Sequence, residues 1–211
     1  MNYEDVLNEL DGLSEEKFKA FTVRLLRTRR FVYGVRTPLL RKLGRRIRSE
    51  YPDYITDFFG RENVSHEEIL LAGWQTGKDY PHNITLLSRL VPLMDSWAQT
   101  DQVICKFAWA KDKSALIRDL SGLTACGEFG RRAFIVALMT NCMTESDFHL
   151  IEEYLPEMRF GEYYVDMAAA WLLCEGVIKM GERGEALLSA PFVTPSVLSK
   201  AKSKMRDSFR I

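Results

Sequence analysis

The chain has 211 residues, 46% of them hydrophobic, enough to bury a sizeable core in one domain or one continuous repeat array. Its 29 basic and 29 acidic residues cancel, so no global field draws it to nucleic acid and any electrostatic footprint must be local. No apolar stretch reaches the roughly 20 residues of a membrane span, and the opening MNYEDVLNEL is acidic and amphipathic, unlike a signal peptide, so a cytoplasmic protein is expected.

Helix signals run through the chain in order. Ser14 before Glu15 and Glu16 reads as an N-cap, and Phe18, Phe21, Leu25 and Leu26 form an apolar stripe behind it. Thr37 with Pro38 at the first helical position opens PLLRKLGRRIRSE, and Ser65 with Glu68 makes a capping box before EEILLAGWQ. Further helices are predicted over 81–92, 96–110, 114–125, 128–142, 145–155, 162–180 and 195–208. No segment has strand alternation between hairpin turns. These helices are too many for one four-helix bundle, and their short polar connections predict an all-α fold. The expected architecture is a right-handed α-solenoid of HEAT-like antiparallel helix pairs, one domain over 1–211, with a concave binding face.

Charge is unevenly spread along these helices. Twelve Lys or Arg residues lie between Lys17 and Arg48 with no Asp or Glu among them. Within that stretch Arg41, Arg45 and Arg48 share one helical face, Lys42 and Arg46 a neighbouring one, and Arg36 stands just before the helix. Such a surplus suits contact with phosphates, although a solvated face has a similar pattern. The C-terminal stretch adds Lys200, Lys202, Lys204, Arg206 and Arg210 against Asp207.

Cys105, Cys126, Cys142 and Cys174 are widely spaced in apolar helical segments and read as small buried hydrophobes in a reducing compartment. His66, His82 and His149 are scattered, so the spacing predicts no zinc or iron site. Tyr54, Phe58 and Phe59, like Tyr163 and Tyr164, are read as packing between helices. Trp97 and Asp101 fall four residues apart in SWAQTDQVICKFAW, which stacks an aromatic plane and a carboxylate on one helical face. The same spacing also fits the edge of a packed core with a solvated acid. Arg132 in EFGRRAFIVALM and Trp171 in YYVDMAAAWLLCEG follow on later helices, where core packing or a surface ion pair are the plainer roles.

Together, YGVRTPLLRKLGRRI, MDSWAQTD, GRRAFIVALM, YYVDMAAAWLL and SVLSKAKSKMRDSFRI resemble the AlkD-like DNA alkylation-repair family, the HEAT-like repeat DNA glycosylases, over residues 18–211. The resemblance implies that Trp97 and Trp171 line a concave face beside the damaged nucleotide's deoxyribose, with Asp101 as the catalytic aspartate and Arg132 as the nearby arginine. Ala98 departs from it, standing where the family often has a second aromatic, and so does Asp166, where a polar or basic residue is common.

The chemistry that such a set suits follows from the lesion. A purine alkylated at N3 or N7 is already cationic and leaves without a general acid. Its departure builds positive charge on the sugar, which a fixed carboxylate and tryptophan π-faces stabilise while the carboxylate orients a water. Arg132 would hold a phosphate or fix the Asp101 carboxylate. The expectation is a glycosylase acting as a monomer on alkylated double-stranded DNA, near the nucleoid, without metal or cofactor. A noncatalytic HEAT-repeat protein that binds DNA, branched DNA included, or a protein partner on the same face is the alternative.

Overall fold

The computed structural model describes residues 1–208; Arg210 of the basic C-terminal stretch lies outside them. The described residues contain thirteen α-helices, three short 3-10 turns and no strand, so the fold is all-α. They form two compact units, Met1–Val103 and Ile104 onward.

The first unit comprises α1 (Tyr3–Gly12), α2 (Glu16–Leu26), α3 (Thr37–Glu50), α4 (Tyr54–Phe59), α5 (His66–Gly73), α6 (Tyr80–Leu90) and α7 (Trp97–Val103). Capping and periodicity account for most of them. Asn2 and Asp5 cap α1 reciprocally, and Tyr3, Val6 and Leu10 face inward. In α3 the buried positions Leu40, Leu43, Gly44 and Ile47 follow the helical period, which turns Arg41, Lys42, Arg45 and Arg48 to solvent. The Ser65–Glu68 capping box opens α5 as expected, and every residue of that helix is buried. Helix α5 packs against α3 on one side and α7 on another, and α1 packs against α3. This stacking of alternate helices is what a HEAT-like array of helix pairs requires.

Two buried carboxylates of α5 tie the connection before α3 and the start of α1 into that core. Glu67 accepts from the backbone N–H groups of Tyr33, Gly34 and Val35, and Glu68 accepts from the Tyr3 hydroxyl at 2.5 Å. A buried carboxylate without such donors would be severely destabilising. Gly34 has φ +85°, and a Cβ there would come within 2.6 Å of Lys19, so the turn requires glycine.

The second unit comprises α8 (Lys113–Leu120), α9 (Gly127–Asn141), α10 (Phe148–Tyr154), α11 (Tyr163–Met180), α12 (Glu182–Leu188) and α13 (Pro195–Arg206). Its centre is α11, which packs against α9, α12 and α13. That role matches its composition, since an almost uniformly apolar helix stabilises the fold only when enclosed. The buried Asp166 on α11 accepts from the Gly161 N–H, the Ser196 hydroxyl and the Lys200 ammonium, and so ties α11 to α13.

Several local expectations are corrected. The helix expected over 96–110 stops at Val103. Phe107 is buried instead in a connection where Asn141 bonds the Cys105 carbonyl and the Phe107 N–H, and Lys113 bonds the carbonyls of Phe107 and Ala110. Cys105 is consequently exposed, unlike the buried Cys142 and Cys174. The segment 114–125 is helical to Leu120 and continues as a 3-10 turn over Ser121–Ala125. Glu15 rather than Ser14 is the N-cap of α2, and Arg36 rather than Thr37 that of α3. Phe21 and Leu25 of the apolar stripe are exposed, because α2 buries its Thr22–Leu26 side. Tyr54 and Phe58 do pack inside, but Tyr163, at the first position of α11, is 61% exposed and rests edge-on against Tyr164.

Candidate active site and nucleic-acid interface

In the first unit, Trp97 and Asp101 occupy successive turns of α7, both half-buried. The start of this helix is fixed by polar contacts. Gln99 Oε1 accepts from the N–H groups of Asp95 and Ser96, while the Asp95 carboxylate accepts from the Thr28 hydroxyl and the Arg29 N–H. Thr100 Oγ1 lies 2.8 Å from the Trp97 carbonyl and 3.1 Å from Asp101 Oδ1, so its single proton serves one or the other. When it turns to Asp101 it orients the carboxylate.

Close packing sets the position of α7. A Cβ on Gly73 would approach Val103 Cγ2 to 2.3 Å, so only glycine at the end of α5 lets the two helices meet as they do. Polar satisfaction is poorer here than elsewhere. Among the described residues four buried side-chain atoms lack a hydrogen-bond partner, and three of them, Ser96 Oγ, Gln99 Nε2 and Gln102 Oε1, lie on or beside α7.

Trp74, which the sequence reading passed over, joins α7 to the basic helix. Its indole N–H donates to the Gln102 carbonyl at 3.0 Å, its own carbonyl accepts from Arg48, and the Arg41 guanidinium lies 4.4 Å from its ring centroid. Two cations of α3 thus converge on the residue that touches the turn carrying Asp101. A tryptophan at the C-cap of α5 looks like core in one dimension, and only the neighbours reveal the contact.

The basic set divides on inspection of its partners. Arg36 is paired with Glu15 through Nε and Nη2, at 2.7 and 2.8 Å, and its guanidinium lies over the Phe18 ring. Arg46 is paired with Glu9 and Glu50. Acids outside the 17–48 stretch therefore neutralise part of its surplus. Lys42 and Arg45 are exposed and form no ion pair among the described residues. They are the cations most available to an anionic partner, together with Arg41 and Arg48.

The second unit carries the other two candidates. Trp171 is half-buried on α11, and Arg132 is 6% exposed on α9, its Nη1 donating to the Tyr164 carbonyl at 2.9 Å. Glu128 accepts from the Tyr164 N–H, and Arg131 pairs with Glu162. Three successive charged positions of α9 thereby grip the start of the helix that bears Trp171. In this arrangement Arg132 acts on the position of α11. Trp97 and Asp101 share one helix, Arg132 and Trp171 lie on two packed neighbours, and the two pairs belong to different units.

Among the described residues, no group of three or more His, Cys, Asp or Glu side chains is arranged to hold a metal ion, and no helix is long and apolar enough to cross a membrane. Comparison with curated proteins and with solved structures finds no match. A family model, that of the DNA alkylation repair enzymes, matches residues 6–179 and so spans both units. The chain belongs to the DNA alkylation repair enzyme family.

Proposed function

We propose that the protein is a DNA glycosylase that hydrolyses the N-glycosidic bond of purines alkylated at N3 or N7 in duplex DNA. The supporting observation is the placement of Trp97 and Asp101 on one helix, beside the Trp74 contact that gathers Arg41 and Arg48 of the basic face. The C1′–N bond breaks with its electron pair going to the cationic purine, which departs neutral. Water adds to C1′ and releases a proton, leaving an abasic site.

Asp101 stabilises the cationic sugar electrostatically and orients the water, and the face of Trp97 favours the same charge, the role that the family resemblance also implies for Trp171. Arg41, Lys42, Arg45 and Arg48 contact backbone phosphates, which position the duplex without reading its sequence. Arg36 and Arg46 contribute less, because their guanidinium groups already hold carboxylates. Arg132 serves as a positioning residue through Tyr164.

The test is release of methylated base from N-methylated duplex DNA by the purified protein. Release of N3- and N7-methylpurines, with neutral modified purines left in place, is expected. Saturable duplex binding without release would make the chain a DNA-binding repeat protein instead.

A further inference from the structure

A cavity of about 380 Å³ opens between α4 and α6 in the first unit, lined by residues that the glycosylase reading does not use. His82, Thr85 and Arg89 recur at helical spacing along one exposed side of α6, and Thr56 faces them from α4. Phe59 and Leu86 supply the apolar lining. The Arg89 guanidinium carbon lies 3.9 Å from the centroid of the Phe59 ring. This cation–π contact occupies the ring face and uses none of the guanidinium N–H donors.

No carboxylate lines the cavity, and Arg89, the His82 ring and the Thr56 and Thr85 hydroxyls have no hydrogen-bond or ion-pair partner among the described residues. In a protein whose acidic and basic residues balance, a concavity with a guanidinium, an imidazole and two hydroxyls but no acid selects an anion. Four donor groups suit the tetrahedral oxygens of a phosphate better than the two oxygens of a carboxylate. The volume exceeds what an inorganic anion fills, and the Phe59 and Leu86 side chains give the remainder an apolar wall.

We propose that this cavity binds a phosphate monoester, with the phosphate on Arg89, His82 and the two threonines and the organic part against Phe59 and Leu86. The phosphate belongs either to a free small molecule or to the 5′ end of a nucleic-acid strand.

Phenyl phosphate titrated into the full chain and followed by NMR provides the test. Saturable shifts confined to residues 54–60 and 80–90 are expected, with inorganic phosphate at least tenfold weaker. Arg89→Leu, which removes an exposed side chain, should weaken binding by about tenfold or more with helicity by circular dichroism unchanged. Competition by a 5′-phosphorylated oligonucleotide, but not by its 5′-hydroxyl form, identifies a strand end as the source, and competition by neither identifies a free ester. Absence of saturable shifts, equal affinity for inorganic phosphate, or full binding by Arg89→Leu would overturn the proposal.

Discussion

His66 and Asp166 are buried ionisable residues whose pKa values the fold lowers, so both make stability fall as pH drops, in different pH windows. Burial pushes the His66 imidazole below its ordinary value of 6.5, against the pull of the Glu67 and Asp95 carboxylates. The unfolded chain therefore takes up a proton before the folded one does, and stability falls as pH drops below about 6.5. Urea unfolding at pH 7.5 and 5.5 should show this loss, and His66→Gln should reduce it. For Asp166, burial raises the carboxyl pKa, but the Gly161 N–H, Ser196 and Lys200 outweigh it and hold the group below its usual range. Its stabilisation is present above about pH 4 and disappears as pH falls through the lowered value. Asp166→Asn should destabilise the protein by about 1–3 kcal/mol at pH 7, because the Lys200 ammonium loses its buried counter-charge. The Trp97–Asp101 spacing was legible from residue order alone, since a helix stacks such pairs by geometry. The contacts made by Trp74, Thr100 and Arg132 were not, because each depends on a partner on another turn or another helix.

Helices α3 and α7 divide phosphate contact from placement of the proposed catalytic carboxylate. Each phosphate neutralised contributes about −0.9 to the slope of log affinity against log salt. Changing Lys42 and Arg45 to Glu should flatten that slope and weaken duplex binding alike for all sequences, whereas Arg36→Gln should do so less, since Glu15 already occupies the guanidinium. Equal effects would show that the ion pairs open on binding. Gly73→Ala forces α5 and α7 apart at Val103, an overpacking that destabilises by about 1–3 kcal/mol. Base release should fall with it while the salt slope persists, which separates placement of α7 from phosphate contact by α3. Helix identity was legible at α3 from its period and at α5 from its capping box. The end of α7 was not, because Asn141 and Lys113 bond the next segment's backbone from beyond it in sequence. The surplus on α3 was likewise overstated by sequence, because Glu9, Glu15 and Glu50 reach it from outside the acid-free stretch.

For the whole molecule, the all-α class followed from helical periodicity and the absence of strand alternation, both local properties of the chain. The stacking of α3, α5 and α7, and of α9, α11 and α13, required coordinates, because residues that differ from one repeat to the next carry no fixed period. The proposed glycosylase activity rests on the carboxylate of Asp101, and replacing it with the isosteric amide removes charge while keeping shape. Single-turnover release of N7-methylguanine from methylated duplex DNA should fall by roughly 10²–10³-fold in Asp101→Asn, the loss typical of deleting a preorganised electrostatic group, while duplex affinity holds or rises. Equal release by the parent and the Asn variant would contradict the catalytic role of Asp101.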